Sequence, residues 1–214
     1  ELIWNEIVPF KEIPLLINPK SGWLVSTNQD PFKVTSEESN LDRSDYSKTL
    51  GLQSRITNRA NRALELFDGN DSISEEIFKA IKFDNKYSIN SRAFKYLKPI
   101  LKHEFNDKEL IKSQKVLQKW DLGTDFNNRG ATLGVCVISP EWLSEQENTI
   151  APDPISVFKD CTLNVTNFFN RVDPKWSERN FLIRGNKKLP VQGGPDTLRA
   201  IYGTEQADGS LKAS

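Results

Sequence analysis

Residues 18–32 read NPKSGWLVSTNQDPF. Asn18-Pro19-Lys20-Ser21-Gly22 is a turn, because proline presets one backbone angle and glycine accepts a positive φ that branched residues resist. Trp23-Leu24-Val25-Ser26-Thr27 then carries the aromatic and β-branched residues of a strand, and Asn28-Gln29-Asp30-Pro31 stops it with Asn28 at the strand end. On the N-terminal side, Leu2-Ile3-Trp4, Ile7-Val8-Pro9-Phe10 and Ile13-Pro14-Leu15-Leu16-Ile17 are short apolar runs cut by prolines. Such runs suit edge or entry strands better than helix. Residues 33–50 are polar and loop-like.

From Gly51 onward the apolar spacing becomes helical. Ile56, Ala60, Ala63, Leu64 and Phe67 share one face, with Gly69-Asn70 as a stop. Ser72-Ile73-Ser74-Glu75 reads as a capping box ahead of Ile77, Phe78 and Ile81. Phe94, Leu97, Leu101 and Phe105 mark a third helix, bent or broken near Pro99, and Leu110, Ile111, Leu117 and Trp120 mark a fourth. Apolar stretches at Leu133–Trp142 and Ile155–Phe169 have helical lengths, and Leu189–Pro195 returns to turn and strand chemistry. The expected class is α+β, one partial domain in three parts. A strand and turn segment covers 1–50, a mainly helical region 51–185, and a turn and strand tail 186–214.

Composition narrows the chemistry. The 214 residues carry 29 Lys+Arg and 29 Asp+Glu, a formal net charge of zero. A balanced chain offers no global field for phosphate backbones or anionic membranes, so neither nucleic acid nor membrane is expected as a partner. No apolar run approaches the ~18 residues of a membrane span. One histidine and two cysteines without a CxxC exclude the multi-ligand His/Cys zinc sites. His103, between Lys102 and Glu104, reads as a solvated surface residue, so any enzyme built on this chain works without a histidine base. Cys136 and Cys161 are open to two readings, a pair in an oxidising compartment or two buried thiols. Gly193-Gly194 belongs to neither a Walker pattern nor a GxGxxG. The opening ELIWNEIVPF has no Met, basic n-region or apolar h-region, and reads as the start of an excised segment.

The 18–32 stretch resembles the β subunit of the penicillin acylase (penicillin amidase) family, in which NP-x-SG is followed by a short apolar strand, then Asn, two residues and Pro. SRITNRANRALELF at 54–67, LQKWD at 117–121 and LPVQGG at 189–194 agree with it. The resemblance implies an N-terminal nucleophile hydrolase, and hence a segment of an αββα Ntn-hydrolase fold with strands at its N-terminal end. Such an enzyme is made as a zymogen whose autocatalytic processing frees a serine, and the serine's own α-amine serves as base. It also implies an asparagine side chain in the oxyanion hole, a role that Asn28 matches by its place before Pro31. An arginine orients that amide, and Arg55 is the candidate, with Arg59 the alternative. Without the resemblance, Asn28 reads as a cap of local backbone groups and either arginine as a solvated helical residue.

Trp23 is the candidate substrate-binding residue, lining an acyl pocket, although an aromatic on a strand is also ordinary core. The metal expectation is none and no cofactor is expected, with calcium an option in the full-length protein through the loop of Asp42 and Asp45. Implied partners are the remainder of the acylase, meaning the α subunit and the N-terminal part of the β subunit, and an amide substrate with an acyl chain. The TNRANRALEL helix resembles acyl-homoserine lactone and aculeacin A-type acylases more than penicillin G acylase, pointing to quorum sensing or antibiotic biosynthesis. The implied location is periplasmic or secreted. Glu1 is no nucleophile, so the chain is expected to be inactive alone. A second reading is a non-catalytic helical binding or interaction module.

Overall fold

Short polar side chains decide where the helices begin, by accepting hydrogen bonds from the first free N–H groups. The computed structural model describes residues 7–52 and 55–213. Helix α1 spans Asn58–Asp68 and starts where Thr57 Oγ1 accepts from Ala60 N–H at 3.1 Å. Helix α2 (Glu75–Lys82) is capped by Ser74, whose Oγ accepts from Ile77 N–H at 3.3 Å. The expected capping box at Ser72–Glu75 is thus displaced by two residues, and Ser74 also donates to Glu76 at 2.8 Å. Ser91 caps α3 (Arg92–Lys102) and Asp107 caps α4 (Lys108–Gln118). Helix α5 covers Ala131–Gln146, α6 covers Pro154–Phe169 and the short α7 covers Trp176–Arg179.

Pro99 lies inside α3, and the helix continues past it rather than ending there. The missing proline N–H costs one backbone bond. Burial of Leu97 and Ile100 on either side of it offsets that loss. Phe105, beyond the helix end, packs against Phe158 with ring centroids 5.2 Å apart.

The class is α+β, and most of the sheet lies in the 186–214 tail read as turn and strand, whereas the described part of the N-terminal segment forms no strand. Strands β1 (Asn180–Arg184), β2 (Lys187–Pro190), β3 (Gly203–Glu205) and β4 (Leu211–Ala213) form one sheet in the order β2-β1-β4-β3. β1 pairs antiparallel with β2 from Phe181↔Pro190 to Arg184↔Lys187, and parallel with β4 from Asn180↔Leu211 to Leu182↔Ala213. β1 therefore falls inside the stretch read as helical, where Phe181-Leu182-Ile183 precedes the tight Gly185-Asn186 turn.

Residues 7–50 hold no strand, which corrects the reading of Ile7–Phe10, Ile13–Ile17 and Trp23–Thr27. Leu2–Trp4 lies outside the described residues. The Trp23–Thr27 segment alternates as a strand does, with Trp23, Val25 and Thr27 part-buried and Leu24 and Ser26 exposed. A strand also needs a ladder of backbone bonds. This segment makes one, from Val25 N–H to Val34 O at 2.8 Å. Single turns of 3₁₀ helix take up the rest, at Phe10–Glu12, Glu37–Ser39, Arg43–Asp45 and Lys48–Leu50.

The main core lies between α3, α4, α5 and α6 and includes Leu97, Ile100, Leu117, Leu133 and Phe158. Trp120 sits against Gly130 and Gly134, so close that a Cβ at either glycine collides with the indole. Its Nε1 donates to Gly123 O at 2.8 Å. A disulfide between Cys136 and Cys161 joins α5 to α6, selecting one of the two readings that the sequence leaves open.

Candidate functional site

Asn28 occupies the tip of a loop folded by its neighbours. Gln29 Oε1 accepts from the N–H and Oγ1 of Thr27 at 2.6 and 2.8 Å, and its Nε2 donates to Val25 O and Lys33 O at 3.0 and 3.1 Å. The backbone of Asn28 takes φ 67°, in the left-handed region that asparagine tolerates better than most residues. Its side chain is exposed.

Arg59 projects from the first turn of α1 and donates from Nη2 to Asn28 Oδ1 at 3.0 Å. A guanidinium has donors only, so the atom of Asn28 that faces it is the oxygen. The Nδ2 group is turned the other way and donates to no atom among the described residues. The pair thus presents a neutral N–H donor in fixed orientation, suited to an oxygen that acquires negative charge.

Behind Arg59 stands Asp196. Arg59 Nε donates to Asp196 Oδ1 at 3.3 Å, and Asp196 Oδ2 accepts from Asn58 N–H at 2.7 Å. Asn58 in turn donates from Nδ2 to Asp196 O at 2.8 Å, locking the start of α1 to the loop at 193–197. Burial pushes the Asp196 carboxyl up, opposed by the Asn58 N–H and the Arg59 guanidinium. Tyr87 donates its hydroxyl to Pro195 O at 2.7 Å. Burial first, and then the nearby Asp196, raise that phenol well above its usual range, so it remains a neutral donor.

Of the two candidate arginines, the structure brings Arg59 to Asn28 and takes Arg55 elsewhere. Arg55 Nη2 donates to Glu145 Oε2 at 3.0 Å, its Nε lies 2.9 Å from Oε1, and Arg92 pairs with the same Glu145 at 2.5 Å. Glu145 on α5 is the stronger attraction because it offers Arg55 a part-buried carboxylate, whereas Asn28 offers only an amide oxygen. Arg55 touches the Asn28 loop through its backbone, its carbonyl accepting from Asp30 N–H at 3.3 Å.

Trp23 packs on Phe67 of α1 with centroids 5.5 Å apart and lines a cavity of about 380 Å³ with Leu64, Glu37, Glu65 and Asp68. Three carboxylates in its wall match an acyl chain poorly. His103 is exposed at the end of α3, its ring 4.4 Å from that of Phe105. Asp42 Oδ1 accepts from Ser44 N–H and Oγ at 2.8 and 2.7 Å, which pulls its carboxyl below the usual range. Among the described residues no group of three or more His, Cys, Asp or Glu side chains could hold a metal ion.

The sequence model of the penicillin amidase family matches residues 1–199, which include Asn28, Arg59 and Asp196. The chain belongs to the penicillin amidase family. Membership implies that the full-length protein hydrolyses amides as an N-terminal nucleophile hydrolase, and that it is a processed acylase of more than one chain. For a penicillin amidase, the residues that the sequence leaves unnoticed are Asp196 and Asn58. The 189–194 stretch that carries the resemblance stops two residues short of Asp196. The signal available was Gly193-Gly194-Pro195-Asp196, a rigid turn that delivers a carboxylate.

Proposed function

We propose that this chain is the part of an amide-hydrolysing acylase that supplies an oxyanion donor, the Nδ2 group of Asn28. The observation that carries the reading is the Arg59–Asn28 hydrogen bond, which fixes the amide oxygen and leaves the N–H donor without a partner among the described residues. In the reaction that the resemblance implies, an N-terminal serine attacks the amide carbonyl carbon and its hydroxyl proton passes through the α-amine to the leaving amine. Water then releases the acyl group from the serine. Asn28 serves both tetrahedral stages. An uncharged donor stabilises the developing oxyanion without binding the ground-state carbonyl as strongly, and it does not titrate.

We assign the serine to the remainder of the acylase, and to that partner also the exposed apolar side chains of Phe10, Leu15, Ile17 and Leu24. The substrate class is N-acyl amides of the acyl-homoserine lactone or aculeacin type, from the resemblance of the TNRANRALEL helix. The Cys136–Cys161 disulfide supports a periplasmic or secreted location, since such bonds persist in oxidising compartments.

The test uses the processed full-length acylase and follows acyl release from N-acyl-homoserine lactones and from phenylacetyl amides. Asn28→Ala is expected to lower kcat by about 10²–10³, the effect of removing one oxyanion donor. An unchanged kcat overturns the reading. The 214 residues alone are expected to release no acyl group, and turnover by them contradicts the assignment of the serine to another part.

A further inference from the structure

Arg59 is held at two of its three nitrogens, by Asn28 at Nη2 and by Asp196 at Nε. A guanidinium is planar and rigid, so the group that fixes Nε also fixes the direction in which Nη2 points. We propose that Asp196 is the positioning residue of the oxyanion donor, aiming Arg59 and through it the Asn28 amide. The proposal rests on the acylase reading above and deepens it.

Three observations support it. First, Asp196 is anchored on the buried body of the molecule. Gly193 N–H donates to Thr124 O at 3.0 Å, Trp176 Nε1 to Gly193 O at 2.9 Å and Tyr87 to Pro195 O at 2.7 Å. Asn28, by contrast, sits on an exposed loop tip. The Asp196–Arg59–Asn28 chain therefore transmits the position of a rigid element to a weakly held one.

Second, the arrangement is costly. Asp196 is a buried carboxylate in the left-handed region, φ 56°. Backbone placed there without glycine persists where the surroundings over-determine it, and such positions concentrate at functional sites. Third, helix capping alone does not account for it. Thr57 already caps α1 at Ala60 N–H and Asp196 Oδ2 covers Asn58 N–H, yet beyond the Arg59 N–H the carboxylate also takes the Arg59 side chain, Oδ1 accepting from Nε at 3.3 Å. Without that oxygen, a single hydrogen bond to an exposed amide has to hold a side chain that water can draw away.

The experiment is a kinetic double-mutant cycle in the processed full-length acylase, with Asp196→Asn, Asn28→Ala and the pair. Asp196→Asn keeps the volume and an acceptor for Asn58 N–H but removes the charge opposite Arg59. It is expected to lower kcat by roughly ten- to a hundredfold, the range for partners that orient a contacting group, with KM little changed. On the Asn28→Ala background the same substitution is expected to cost nothing further, because the amide it aims is gone. Asp196→Ser, which also caps Asn58 N–H, is the second variant should the first not fold, with folding followed by circular dichroism. An unchanged kcat in a folded Asp196 variant, or a full additive loss on the Asn28→Ala background, overturns the proposal while the role of Asn28 stands. If Asn28→Ala itself leaves kcat unchanged, both readings fall.

Discussion

Residues 7–52 and helices α3–α6 treat their apolar side chains in opposite ways. In the helical body, Leu97, Ile100, Leu133, Val137, Phe158 and Val165 are within 2% of complete burial, and a disulfide joins its two longest helices. In residues 7–52, Phe32 alone among apolar side chains is buried, while Phe10 and Ile17 are 72% and 68% exposed. The body thus has the cohesion to hold its shape by burial. The N-terminal segment is held by local turns, a few long-range bonds and the Trp23–Phe67 contact. The candidate donor Asn28 lies in the weakly held part, and Arg59, which meets it, stands on α1 and pairs with Asp196 on a loop bonded to Thr124 and Trp176. Catalytic side chains on loops positioned by a rigid scaffold are a common division of labour.

That contrast can be broken most directly in the core. Phe158→Ala is expected to destabilise the fold by about 3–5 kcal/mol, the cost of lost transfer energy plus a cavity, read by thermal unfolding. A loss no larger than that of a surface substitution would erase the distinction. Opening the disulfide with Cys136→Ser and Cys161→Ser comes next. It closes a loop of 25 residues. Its removal is expected to cost about 2–4 kcal/mol, with the midpoint of thermal unfolding lowered accordingly.

A smaller effect belongs to the β3–β4 turn. Bonds from the Ser210 hydroxyl and N–H and from Lys188 pull the Asp208 carboxyl from 3.8 to about 2. Because the folded value is depressed, the stabilisation is present above the unfolded value and disappears as pH falls toward 2. The difference in unfolding temperature between the parent and Asp208→Asn should therefore be visible at neutral pH and vanish on acidification. The smallest effect is expected in the N-terminal segment. Leu24→Ser, at a side chain already 52% exposed, should change the stability of this chain by no more than about 0.5 kcal/mol. The same substitution should weaken association with the remainder of the acylase, measured by co-purification, and equal association would detach Leu24 from that surface.

The helices were legible where one physical signal sufficed. The apolar face of α1 and the stop at Gly69 follow from spacing and from a residue that ends helices readily. α2 shows the limit, since Ser72 and Ser74 both suit a cap, and the helix that buries Ile81 starts from Ser74. The N-terminal strands show a different limit. Trp23–Thr27 has the composition and the alternation of a strand, but a strand is a property of a pair, and no ladder forms along it. In the site, Asn28 is the candidate that the motif singles out. The assignment between Arg55 and Arg59 was not, because it depends on Glu145, ninety residues further along the chain from Arg55.

By itself the sequence determined the helical periodicity, the single histidine and two cysteines, and the family motif with Asn28 as its candidate residue. These are local or compositional properties, set by side-chain type and spacing along the chain. Tertiary structure alone decided which arginine meets Asn28, that Asp196 stands behind it, and that Cys136 and Cys161 join. Each of those is a contact between residues 25 to 137 positions apart. Contacts at that range form because packing of the helical body brings their elements together, and no local propensity encodes them.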